Sequence, residues 1–358
     1  MSRGTRNEAF VRARKEDAAL SERGSRPPRL AITLGDTGGI GPEIAVKAAI
    51  SPDVREVCEP LLVGSAGVVH EAIEQVGARS GGDPRVVEHP REFDADFRSV
   101  QVLETYTLGP EERTTGGLSA ANGRAAAEDT RRAVELALSG AVDAVVSGPV
   151  NKQGLQMAGY DYPGQTEFFQ DLTGAESTFT LLVGGPMRVA LLSTHVSLRE
   201  ALELVTRQRV ADVVAKLNAA LTEAFGIEEP HIGVAGLNPH SGDNGLMGRE
   251  EIEDIGPALQ GARKAGIDVS GPVPADAFFL QGEAGRYDGM VALYHDQGVI
   301  PLKRHSYATF AYGLPIIRTT AGHGTAYDIA GTGKADSTAM RNAVFLAASI
   351  YASSRREG

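Results

Sequence analysis

The sequence is short of cysteine, of positive charge and of long apolar runs. Cys58 is the only cysteine among 358 residues, which excludes an internal disulfide and any Cys-based metal site. A single thiol also matches a reducing compartment, so a cytoplasmic location is expected. No apolar run reaches the roughly 18–20 residues that a membrane helix needs, and no membrane partner is expected. The formal net charge of -11 excludes the basic face required for general nucleic-acid binding. Residues 1–29 lack the apolar core of a signal peptide and read as a solvated, disordered tail.

What is present is alternation. LAITLGD reads as a first strand over Leu30–Leu34, and GDTGGIGPEIAVKAAI turns from it into a helix. Gly38, Gly39 and Gly41 permit a tight turn, and Pro42 suits a first helical position. Such a turn can present amides to an anion, or it can be an ordinary strand-to-helix connection; its spacing fits neither GxGxxG nor a Walker loop. EPLLVGSAGVVHEAIEQVG repeats the pattern, and residues 80–115 read as irregular with a strand near Val100–Thr105. A helix follows over Ala120–Ser139, then the buried strand AVDAVVSGPV. Helices are expected over Leu198–Val205, Arg209–Phe225 and about Arg249–Gly266. The pattern predicts an α/β fold with a largely parallel sheet.

Three histidines, His195, His240 and His295, each sit at or just past the expected C-terminal end of a strand. Ligands bind at that edge in open α/β sheets. Three imidazoles converging there could bind one divalent cation, although each His taken alone reads more readily as a structural residue than as a ligand. Lys303 and Arg318 are the candidate anion binders. Arg318 lies in the apolar run GLPIIRTT, where an unpaired charge is expensive. The Gly-rich GHGTAYDIAGTGKAD suits close folding around a flat ligand, with Asp328 able to accept from two ribose hydroxyls and so to favour NAD over NADP.

The motifs GDTGGIGPEI, SGPVNK, PGQTEFF, STHVSLR, LNPHSGDNGLMGREE, GPVPAD, YHDQGVIPLK, GLPIIRT and HGTAYDIAGTGKAD occur in this order from Leu30 onwards. In that order they resemble the 4-hydroxythreonine-4-phosphate dehydrogenase family. The first and last also resemble the wider isocitrate and isopropylmalate dehydrogenase fold. The resemblance implies a two-domain α/β/α homodimer with active sites near the dimer interface. One domain would take 30–155 plus 315–358 and hold the cofactor loop; the other would take 156–314 and hold the metal and substrate residues. It implies NAD-dependent oxidation of a phosphorylated hydroxy acid, followed by loss of CO2 from the β-keto acid. It places a divalent cation (Zn, Co, Mg or Mn) on His195, His240 and His295. Substrate contacts fall on Gln165, Thr166, Lys303, Thr309 and Arg318, and cofactor contacts on His323, Asp328 and Asp336. Asp296, beside His295, is a candidate proton acceptor or a partner that orients the histidine.

Two positions depart from the family pattern. Its GHTE is GQTE here, with Gln165 in place of a His, and its Asn before GLP falls on Thr309. Gln donates a hydrogen bond but does not titrate near neutral pH. The expected substrates are therefore 4-phosphohydroxy-L-threonine or a 4-phosphorylated threonate or erythronate, with a cis-dihydrodiol of the terephthalate type as the alternative within the family. An acyl-phosphate transferase and a non-catalytic metabolite-binding protein are the alternatives from other classes.

Overall fold

The computed structural model describes residues 26–78 and 82–355. The tail expected over residues 1–29 lies, up to residue 25, outside the described residues. The chain forms two compact units, of which one takes residues 26–178 and 308–352 and the other 179–307 with 353–355. The first is called the split unit and the second the inserted unit.

The split unit starts with β1 (Arg29–Thr33), whose five residues are all buried. A Gly-rich turn leads to α1 (Gly41–Ala49), with Pro42 in the first turn where no N–H is needed. β2 (Glu59–Val63) and α2 (Ala66–Gln75) repeat the unit. The stretch expected to be irregular holds two short strands, β3 (Arg85–Val87) and β4 (Gln101–Leu103). Ser119 then caps α3 (Ala120–Leu138) by accepting from the Asn122 N–H at 3.1 Å. β5 (Ala144–Ser147) is an all-buried run, and α4 (Lys152–Met157) and α5 (Gln165–Thr173) follow.

The inserted unit contains β6 (Phe179–Gly184), β7 (Met187–Leu191), α6 (Leu198–Glu203), α7 (Arg207–Glu223) and β8 (Ile232–Ala235). Next come α8 (Gly256–Lys264), β9 (Val269–Val273), α9 (Ala275–Glu283), β10 (Gly289–Ala292) and α10 (His295–Leu302). The helix expected from Arg249 opens with a π-helical turn at Glu251–Ile255. The chain returns to the split unit through β11 (Ala308–Tyr312), β12 (Arg318–Ala321) and α11 (Thr338–Ser354).

Strand order in the split unit is β3-β4-β2-β1-β5-β12-β11, parallel except for the β11–β12 pair. In the inserted unit it is β6-β7-β10-β8-β9, parallel except for β6–β7. Both agree with the parallel sheet expected from strand–helix alternation.

The unit boundaries fall after Thr178 and Tyr307, not at 155/156 and 314/315. The cause is packing. Both α4 and α5 lie against α3, Phe169 joins a core with Val145 and Ile316, and Phe168 joins Ala127 and Leu155. Gln165, Thr166 and Thr309 therefore group with Arg318 and not with the histidines.

One buried acid in this packing costs stability. Asp129 on α3 accepts from the Thr105 hydroxyl, while its Oδ2 is buried without a partner. Burial pushes its carboxyl well above the usual carboxylate range. The folded chain therefore keeps a proton that the unfolded chain releases above about pH 4, and stability falls as pH rises through that window. Asp129→Asn carries no such cost. Its melting temperature should match wild type near pH 4 and exceed it by about 2–4 °C at pH 7–8, the shift ~1 kcal/mol makes in a unit of this size. Parallel thermal melts across pH check this.

Candidate active site

The strands β7, β10 and β8 are adjacent and parallel, so their C-terminal ends share one edge. His195, His240 and His295 follow those ends by three to five residues. The rings of His195 and His295 lie 5.7 Å apart, centroid to centroid. They line a cavity of about 300 Å³ together with Thr194, Val196, Leu198, Tyr294 and Asp296. Asp296 Oδ1 is 2.7 Å from His295 Nδ1, so the carboxylate orients the ring and leaves Nε2 for a ligand.

His240 is held differently. Residues His240–Asn244 form a left-handed run, with φ of 52°, 53°, 79°, 42° and 54°. Four of the five carry a Cβ, and each such residue costs roughly 1–2 kcal/mol. Strain of this kind marks a position held by its surroundings. Here Glu251 accepts from the Leu237 and Asn238 N–H groups at 2.9 and 2.7 Å. Gln297 ties the neighbouring strand ends by accepting from the Leu293 N–H and donating to Gly236 O, at 2.7 and 2.9 Å. Among the described residues no group of three His, Cys, Asp or Glu closes at metal-holding distance. The His195–His295 pair suits a borderline divalent cation in donor type. Lys303 follows α10, exposed, with its ammonium 5.2 Å from the Tyr307 ring.

The split unit gathers a second set. Arg318 is 3% exposed. Its Nε donates to Ser147 Oγ at 3.0 Å, Nη1 to Thr166 Oγ1 at 3.3 Å and Nη2 to Gln165 Oε1 at 2.7 Å. The Phe169 ring lies 4.8 Å from the guanidinium. Burial pushes Arg318 down to about 10, against the opposing pull of Glu167, so it stays charged at neutral pH. Gln165 and Thr166 begin α5, whose Gly164 cap offers no side-chain acceptor, and free first-turn amides favour an anion. Thr309 pairs with Thr320, two residues beyond Arg318, and so shares its face of the sheet.

The Gly-rich loop expected to hold a cofactor is bound to the first turn of the chain. Tyr327 donates to Asp36 Oδ2 at 2.6 Å, and Ile40 N–H donates to Thr325 O at 2.9 Å. Gly39 approaches so closely that a Cβ there would lie 2.5 Å from Thr325 O. The amide that follows the GDTGG turn is thus bonded to the loop. Two residues of α1 hold the far end of the loop. Glu43 accepts from the Gly333 and Ala335 N–H groups at 3.0 and 3.2 Å, and Lys47 donates to the carbonyls of the same two residues at 2.8 and 2.6 Å. Within the loop Asp328 is exposed, and His323 Nε2 is buried without a hydrogen-bond partner. Asp336 Oδ1 accepts from the Thr338 N–H and hydroxyl at 2.8 and 2.6 Å, so it serves the start of α11.

Residues 56–347 match the family model of the pyridoxal phosphate biosynthetic protein PdxA. The chain belongs to the PdxA family. It is 41% identical over 332 residues, 92% of this chain and 98% of the other, to a Symbiobacterium thermophilum protein provisionally named D-threonate 4-phosphate dehydrogenase. Its fold matches 4-hydroxythreonine-4-phosphate dehydrogenase from Klebsiella pneumoniae with a TM-score of 0.80, at 38% identity over 92% of this chain and 99% of that one. Terephthalate 1,2-cis-dihydrodiol dehydrogenase from Burkholderia xenovorans matches with a TM-score of 0.59, at 30% identity over 90% and 98%. As a PdxA-family member the chain is a dehydrogenase acting on a CH–OH group.

Several residues that build this PdxA-family site escape sequence reasoning. Ser147, Asp36, Tyr327, Glu43 and Lys47 act over long separations. The spacing of Glu43 and Lys47, one helical turn apart on α1, was the only local signal that they share a target. Asp36 is pushed above its ordinary range by burial, which the bonds from Tyr327 and Gly38 partly oppose. Tyr327→Phe should therefore destabilise the fold by about 1–3 kcal/mol and speed amide exchange in residues 323–336. Urea titration and hydrogen–deuterium exchange check both effects.

Proposed function

We propose that this protein oxidises a 4-phosphorylated hydroxy acid of the threonate or hydroxythreonine type with NAD, and that the resulting β-keto acid loses CO2. The observation that carries this reading is the Arg318 nest: a buried, charged guanidinium beside Thr166 and the start of α5, in a chain 41% identical to a provisionally named D-threonate 4-phosphate dehydrogenase. Greater likeness to the 4-hydroxythreonine-4-phosphate enzyme than to the dihydrodiol enzyme, by TM-score 0.80 against 0.59, favours a phosphorylated substrate.

Arg318 and Thr166 of the split unit bind the anionic group; Lys303 is the inserted unit's own candidate contact for an anion. A divalent cation on His195 and His295, with His240 as third ligand, would polarise the substrate hydroxyl, and nicotinamide would accept the hydride. Asp296 fixes the His295 tautomer and, being exposed, can pass the hydroxyl proton to solvent. Oxidation converts the C–H and O–H of the alcohol to a ketone, a hydride and a proton. In decarboxylation the C–C bonding pair stays on the α-carbon, which then takes a proton. Asp328 accepts from the adenosine ribose and disfavours a 2′-phosphate.

Exposed apolar residues of the inserted unit, Leu246 at 83%, Leu280 at 69% and Ile300 at 67%, support a homodimer. A mass of twice 37.6 kDa on sedimentation is the expected result, and a monomer at micromolar concentration would contradict it.

The functional test follows NADH formation with 4-phosphohydroxy-L-threonine, D-threonate 4-phosphate, erythronate 4-phosphate and terephthalate dihydrodiol, with NAD or NADP and with or without divalent cation. Turnover of a phosphorylated acid, with NAD and cation, is expected. Turnover of the diol alone would reject the phosphate assignment.

A further inference from the structure

Gln165 and Ser147 both accept hydrogen bonds from Arg318. We infer that both are positioning residues for that guanidinium, and that the anionic group of the substrate is read by an arginine whose geometry is set by neutral acceptors only. This rests on the proposed reading of Arg318 as a substrate ligand.

A guanidinium has five N–H donors in a rigid fork. Three are spent, one on each nitrogen: Nε on Ser147, Nη1 on Thr166 and Nη2 on Gln165. One N–H remains on each terminal nitrogen. Two N–H groups of one guanidinium can donate to two oxygens of a carboxylate or phosphate. Arg318 makes no ion pair among the described residues, so its charge is left for a ligand. The neighbouring acid, Glu167, acts on it only through space.

The residue type at 165 matters for this reason. A carboxylate there would neutralise Arg318 and compete with an incoming anion. An imidazole would carry its own charge below about pH 6.5 and repel the guanidinium. The amide does neither. Its Oε1 accepts from Arg318, and its Nε2 donates to Gly148 O at 3.4 Å. Ser147 is fixed in turn, because its hydroxyl donates to Thr319 O at 3.4 Å. Thr166 accepts from Nη1 and keeps its own proton to give to the anion. The site therefore takes a fully ionised oxyanion, a phosphate monoester or carboxylate.

The test measures binding of inorganic phosphate by calorimetry to the full chain, which needs no turnover. Gln165→Glu and Ser147→Ala should each weaken phosphate at least about 10-fold, the scale of one lost charge-assisted hydrogen bond. Ser147→Thr keeps the acceptor and should stay within about 3-fold of wild type. With a substrate the enzyme turns over, KM for that substrate should rise as the phosphate affinity falls, while kcat and the KM for NAD hold; a merely structural role would move all of them. Phosphate affinity indifferent to Gln165→Glu and Ser147→Ala, in variants that melt like wild type, overturns the inference. Phosphate bound in this pattern by a protein that oxidises none of the hydroxy acids would reject the proposed substrate and leave the Arg318 geometry standing.

Discussion

A buried positive charge is the constraint on which the split unit depends. Arg318 sits on a central strand with 3% exposure, and an unpaired cation there would be costly. The chain meets that cost with three polar side chains from two places: Ser147 at the end of β5, and Gln165 and Thr166 at the start of α5. The Phe169 ring covers one face. These contacts explain why α5 belongs with β12 although some 150 residues separate them. They also leave two of the five N–H donors unspent, so the fold and the proposed binding function rest on the same interaction.

The inserted unit places its chemistry by another device. Three parallel strands bring three histidines to one edge, and polar side chains beneath them fix the turns. Gln297 joins two strand ends, and Glu251 holds the turn that precedes His240. The left-handed run from His240 to Asn244 is strain that this framework sustains. The loop bearing Asp328 is built in the same spirit, its two ends fixed by Asp36 and by the Glu43–Lys47 pair.

Much of this was legible in the sequence because it is local. Apolar runs ending in polar turns marked the strands, and the positions of His195, His240 and His295 after them followed. Arg318 stood out as a charge in an apolar run. What was not legible depends on register and distance. Gln165 and Thr166 were assigned to the same domain as the histidines, because nothing in PGQTEFF says that Phe168 and Phe169 pack in the core of the other unit. Ser147 closes a strand and gives no sign that a guanidinium 171 residues later needs its hydroxyl. β3, three residues long, is too short for its period to separate it from a charged loop, whereas β4 falls within the strand expected near Val100–Thr105. Asp336 reads as a ligand within a Gly-rich motif, and nothing in that motif shows that its carboxylate accepts from Thr338 at the start of α11.

The most direct measurement is kcat/KM of Arg318→Lys with D-threonate 4-phosphate. Lysine keeps the charge and loses the fork. If the fork held by Ser147, Thr166 and Gln165 reads the anion, the value should fall by about 100-fold or more, the equivalent of two charge-assisted hydrogen bonds, with the KM for NAD unchanged. A lysine variant within about 3-fold of wild type would mean that charge alone suffices, and would contradict the account.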